Sequence, residues 1–162
     1  MAMEYNTPQE QSHVERIRAE LEDAGVSRLA LYKPTSRYLS NVIGKSEHIK
    51  AVVFGRRSEI EGFFGFIGGA LVATDARILF VDHRPGYTTM DEIGYDIVTG
   101  INVSHAGPYA SLVLYTKIGN YELSFASHPC VTNFERYIET RRVVDEDYGM
   151  VQRYRPRNTY RR

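Results

Sequence analysis

Six side chains in this 162-residue chain have the chemistry of metal ligands or nucleophiles: His13, His48, His83, His105, His128 and Cys130. A structural zinc site takes four such ligands, usually as two close pairs, and here His128 and Cys130 make a lone pair. No metal site is expected. Cys130 follows Pro129 at the start of a helical pattern, where the helix dipole can lower a thiol pKa, and His128 is near in sequence. Residues two apart at a helix start do not point at one another, however, and no third, orienting group is visible. Cys130 therefore reads as a small packed residue, and His105, which ends a strand on its apolar face, as a hydrogen-bonded core or rim residue. Neither catalytic residues nor a cofactor nor a small-molecule substrate is expected, and the chain reads as a non-enzyme.

The stretch "EGFFGFIGGA" invites comparison with phosphate-binding loops. A Walker loop would place Lys and Ser or Thr after the last glycine, and a dinucleotide loop would lie between a strand and a helix. Ala70, Leu71 and Val72 follow instead, in strand style. Gly62, Gly65, Gly68 and Gly69 then read as bends and bulges that let a sheet curl. Phe63, Phe64 and Phe66 cannot all be buried on one face of a regular strand. Either the first helix covers them within the monomer, or they form a contact patch for another copy or for a lipid surface.

The elements that must position these residues follow from periodicity. In "TPQEQSHVERIRAELEDAG", Thr7 is the N-cap, Pro8 takes the first helical position and Glu10 completes a capping box. Val14, Ile17 and Leu21 form a narrow apolar stripe that Gly25 ends, and so thin a stripe must dock on its own domain or on a second copy. A shorter helix is expected in "TSRYLSNVIG". From His48 the period becomes two, giving strands in "HIKAVVFGRR", "GALVATD", "ARILFVD", "EIGYDI", "GINVSHA", "YASLVLYTK" and "NYELSFAS". Ile93, Tyr95 and Ile97 share a face of the fourth, and Tyr121, Leu123 and Phe125 alternate with Glu122 and Ser124 in the seventh. Seven antiparallel strands with frequent turns argue for a sandwich or small barrel, and no crossover helix suggests a parallel sheet. After Ser127 the pattern turns helical, with Pro129 at the start, Val131, Phe134 and Ile138 as a stripe, and Arg141 and Arg142 complementing the C-terminal dipole. The segment from residue 145 loses apolar periodicity and carries Arg153, Arg155, Arg157, Arg161 and Arg162 with Tyr154 and Tyr160, so it reads as a mobile tail suited to weak phosphate contact.

Composition sets the outer bounds. A hydrophobic share of 43% is enough for one real core. Twenty Lys plus Arg balance 20 Asp plus Glu, so no global field steers the molecule to nucleic acid or an anionic membrane. One cysteine rules out an intrachain disulfide, and a cytoplasmic setting is expected. No secretory signal is expected, and the longest apolar run, Phe63 to Ala73, is far short of the roughly 20 residues of a spanning helix.

The phrases "GALVATDARILFVD", "EIGYDIVTGINVSHAG" and "YELSFASHPCVTNFERYIE", in that order, resemble the bacterial pleckstrin-homology (PH) domains, most closely the YokE-like group, over about residues 46–142. The resemblance implies a PH-like barrel of two nearly orthogonal sheets plugged by the final helix, and no catalytic residue. It also raises phosphoinositide binding, which in eukaryotic relatives uses basic residues on the first two strands. Lys50, Arg56 and Arg57 are the anion contacts this chain offers there, but Ser58, Glu59 and Glu61 break the basic pattern. The expected class is α+β, mainly β: an N-terminal helical extension (1–45), a PH-like seven-stranded antiparallel barrel with its C-terminal helix (46–144) and an Arg/Tyr-rich tail (145–162). The expected function is a non-catalytic interaction module that self-associates or docks a protein through Phe63, Phe64, Phe66, Val14, Ile17 and Leu21. The alternative is an adaptor that binds anionic membrane or nucleic acid through the tail, chiefly Arg153, Arg155 and Arg157.

Overall fold

Runs of consecutive apolar residues, ALVA at 70–73 and ILFV at 78–81, dictate the layering, because strand neighbours point to opposite faces and both faces then need cover. The structure, a computed structural model, describes residues 7–57 and 68–153, with side chains as far as Arg142. Its strands are β1 (Ile49–Arg56), β2 (Gly68–Thr74), β3 (Ile78–Arg84), β4 (Tyr87–Ile93), β5 (Val98–Ala106), β6 (Tyr109–Thr116) and β7 (Gly119–Ala126). All pair antiparallel in the order β4-β3-β2-β1-β7-β6-β5. The four-strand and three-strand halves meet at one register pair, Arg56 with Ser124. Beside it, a Cβ on Gly55 would lie 2.8 Å from Leu123 Cβ and 2.9 Å from the Ser124 carbonyl, so glycine is what lets the halves approach.

The inner faces of β1–β3, with Val53, Leu71, Ile78 and Phe80, pack with Leu112, Leu114 and Leu123 of the other half. The C-terminal helix α4 (His128–Arg153) closes this core with Val131, Phe134 and Ile138, all fully buried. The outer faces, with Ile49, Val52, Val72, Leu79 and Val81, lie under a layer of three helices: α1 (Pro8–Asp23), α2 (Arg28–Leu31) and α3 (Pro34–Val42). The Thr7–Glu10 capping box starts α1. Strand count, antiparallel order, closing helix and N-terminal helices are those that the sequence and the PH resemblance imply.

Three local expectations are corrected. The fourth strand begins earlier, at Tyr87 after the Gly86 turn (φ 77°), and ends at Ile93. Tyr95–Ile97 is a 3₁₀ turn, whose Tyr95 folds inward to donate its hydroxyl to the Thr74 carbonyl and so imitates strand alternation in sequence. The four-residue α2, N-capped by Ser27, is too short to show a period. Helix α4 also runs on to Arg153, past Arg141 and Arg142, the C-terminal turn expected from the sequence, since a helix already nucleated propagates at little cost per residue.

One polar junction ties the layers together. Arg77, in the β2–β3 turn, donates through Nε and Nη2 to the two carboxylate oxygens of Glu47 (2.9 and 3.0 Å), through Nη1 to Glu92 (2.7 Å) and through Nη2 to the Val42 carbonyl (3.1 Å). Glu47 also accepts from the Thr74 hydroxyl (2.7 Å) and the Gly44 amide (3.1 Å). Burial alone would push the Glu47 carboxyl up; the bonds from Arg77, Thr74 and Gly44 outweigh it and hold the group down to about 2. A carboxylate with a lowered folded pKa stabilises the fold above its unfolded value and loses that contribution as pH falls toward the folded one. We expect Glu47→Gln to cost about 3 kcal/mol at neutral pH. In urea denaturation the gap between wild type and variant should close as pH falls from about 4.5 to about 2. A gap that stays constant with pH would show that Glu47 is not held ionised.

Candidate interaction cleft

The strand β7 carries a bulge. It pairs Ala126 with Ala110 and Leu123 with Leu112, three steps along β7 against two along β6. The extra residue shifts the alternation, and Phe125 takes φ 57°, the one positive value at a non-glycine among the described residues. Phe125 was expected to continue the alternation of Tyr121 and Leu123; instead Ala126 is buried there and the Phe125 ring is 57% exposed. Holding a bulky residue in left-handed conformation costs about 1–3 kcal/mol, and an exposed ring recovers little of it by packing.

Phe125 is turned into a cleft of about 600 Å³ along the junction of the two halves. Its walls come from the start of α3 (Lys33, Thr35), the end of β1 (Phe54, Arg56), the end of β3 (His83, Arg84) and Tyr109 of β6. Cations and rings alternate. The Arg56 guanidinium lies 4.9 Å from the Phe125 ring centre, and Lys33 Nζ lies 5.6 Å from that of Phe54. Tyr109 meets Phe125 edge-on at 5.8 Å. Arg84 is held by two 3.1 Å bonds to the buried Asp82 and stacks on Tyr87. The His83 ring stacks on Tyr38 at 4.2 Å and bonds to the Thr88 hydroxyl at 2.7 Å, so this wall is rigid. Such a surface sets positive charge beside flat apolar faces.

The residues singled out in the sequence scatter. Ile17 and Leu21 are buried against the outer face of the sheet, Val14, at 43%, is the exposed member of the α1 stripe, and the three meet along one groove between α1, α2 and α3. Phe63, Phe64 and Phe66 lie outside the described residues, as do Arg155 and Arg157, and Arg153 ends the backbone of α4. Lys50, Arg56 and Arg57 diverge. Arg56 lines the cleft, Arg57 stacks 4.9 Å from the Phe80 ring centre beside a separate hollow, and Lys50 lines neither. Cys130 Sγ lies 3.3 Å from the Gly25 carbonyl while His128 bonds to His105 and Gly107, and burial pushes the thiol up, opposite to nucleophile activation. Among the described residues the histidine that pairs with a carboxylate is His48, with Glu20 at 2.8 Å, and no group of three or more metal-ligating side chains converges. Lys33, Phe54, Arg84, Tyr109 and Phe125 were not singled out, because a bulge leaves no mark in hydrophobic periodicity.

No family model matches the chain, and no curated protein matches it. Among solved structures it is similar to a DUF1696 family protein with a pleckstrin-homology domain from Shewanella loihica PV-4. The identity is 16% and the TM-score 0.40, over 65% of this chain and 90% of that one. So loose an overlap carries no argument about ligand, and the fold stands on its own strand order. Among the described residues no helix is long and apolar enough to cross a membrane.

Because glycine takes positive φ at no steric cost, Phe125→Gly is expected to relieve strain and leave stability unchanged or raised by up to about 1 kcal/mol. Thermal denaturation checks this; a loss above about 2 kcal/mol would mean the ring is a packing element after all.

Proposed function

We propose that the chain is a cytoplasmic, non-catalytic, YokE-like PH-type interaction module that docks a partner protein at the Phe125 cleft. The observation that carries the reading is Phe125 itself, an exposed aromatic kept in strained backbone between Arg56 and Tyr109. Strain retained where packing does not require it points to use. Alternating cations and rings suit an acidic segment with apolar side chains. The test is binding to an array of synthetic peptides that combine Asp or Glu with Leu or Phe. Phe125→Gly and Arg56→Glu should each weaken the best binders at least about tenfold, the scale of an interface anchor. Equal binding by Phe125→Gly would sink the proposal. Pelleting with anionic liposomes that survives Phe125→Gly but not Arg56→Glu would instead favour the adaptor for anionic surfaces.

A second reading, self-association, is favoured by a groove of about 380 Å³ between α1, α2 and α3. Ile17, Leu21 and Leu31 form its floor, Val14 and Tyr32 its rim, and Leu29 nearby is 85% exposed. Light scattering should show a dimer or larger, reduced to monomer by Leu29→Glu combined with Val14→Glu. A clean wild-type monomer at tens of micromolar rules this reading out.

A further inference from the structure

Two histidines that are 23 residues apart in sequence meet at the opening of α4. His105, near the end of β5, and His128, the first residue of α4, have Nδ1 atoms 2.8 Å apart, with rings within 6° of parallel. The other nitrogen of His128, Nε2, lies 3.1 Å from the Gly107 carbonyl. A carbonyl only accepts, so Nε2 carries a proton, and in neutral His128 the lone pair sits on Nδ1. His105 Nδ1–H is then the donor across the 2.8 Å contact. Together the two bonds fasten the β5–β6 turn at Gly107 and Pro108 to the start of the closing helix.

We propose that this pair is a pH-sensitive latch between the β5–β6 turn and α4. One proton can be added without breaking it: a charged His105 still donates to the His128 lone pair, and the charge is better placed there than on His128 at the positive end of a helix. A second proton leaves two N–H groups and two positive charges facing across 2.8 Å, and the contact cannot survive. Imidazole changes charge in the range where cells vary pH.

The surroundings leave the pair in control. Neither β5 nor β6 contains an Asp, Glu, Lys or Arg. In β7 the charged residue is Glu122, in register with Val113 and four residues short of Ala126. In α4 the first charged residue is Glu135, about two turns from His128. On the helical layer, Asp23 precedes the Ala24 and Gly25 carbonyls that meet Cys130, and it forms no ion pair with either ring. Among the described residues neither ring meets a carboxylate that would compensate the second charge. The latch is independent of the binding reading, although the turn it holds leads directly into Tyr109 of the cleft wall.

Hydrogen exchange of the full chain, corrected for the intrinsic pH dependence of exchange, tests it. Between about pH 7.5 and about pH 4, amides of residues 105–107, 109, 110, 128 and 130–132 should lose protection about two- to tenfold, the worth of one net hydrogen bond, on the acid side of the range because the first charge opposes the second proton, while β2 and β3 stay protected. His105→Gln is the control, since its amide can donate to or accept from His128 in either charge state. It should retain protection at both pH values. Unchanged wild-type protection would overturn the proposal, and so would the same loss in His105→Gln as in wild type.

Discussion

The central constraint on this molecule is that β2 and β3 have no hydrophilic face. Ala70, Val72, Leu79 and Val81 point one way, Leu71, Ala73, Ile78 and Phe80 the other, and all eight are buried. A sheet apolar on both sides must be the middle of three layers. The second half-sheet and α4 cover one side. The other would be a large apolar patch in water without α1–α3, so the N-terminal helices are part of the domain rather than an extension attached to it.

Three layers need a fixed relation to one another, and apolar contact alone is tolerant of sliding. The β2–β3 turn supplies the direction. Thr74 and Arg77 reach Glu47 and the Val42 carbonyl at the end of the helical layer, and Arg77 also reaches Glu92 on β4. From the other side Tyr95 and Tyr137 donate to the Thr74 carbonyl, and Arg141 of α4 to that of Asp75. Hydrogen bonds from every layer converge on a four-residue turn, and their geometry fixes registry where packing cannot.

Register shifts also interrupt the β1–β2 and β5–β6 pairings, but the irregularity that shapes the cleft lies at the junction of the two halves. Gly55 permits the close crossing, and the β7 bulge turns Phe125 outward beside Arg56. The cleft thus lies where the two halves join at one register pair, and its rings and cations come from five elements spread over residues 33–125.

The sequence by itself determined the number and order of the main elements, seven strands, the capped first helix and the closing helix, and the lack of a second ligand pair to join His128 and Cys130. These are local properties, written in periodicity, caps and turn residues within a few positions of one another. It also contained, in the unbroken runs ALVA and ILFV, the requirement for cover on both faces. Only the tertiary structure decided which stripe supplied that cover, and it placed Ile17 and Leu21 inside rather than on a free face. It alone decided that Phe125 faces out, that Arg56 and Arg57 diverge, and that His105 meets His128. Each of these depends on register between distant strands, and a single extra residue in β7 reverses the facing of a side chain without changing the pattern of residue types.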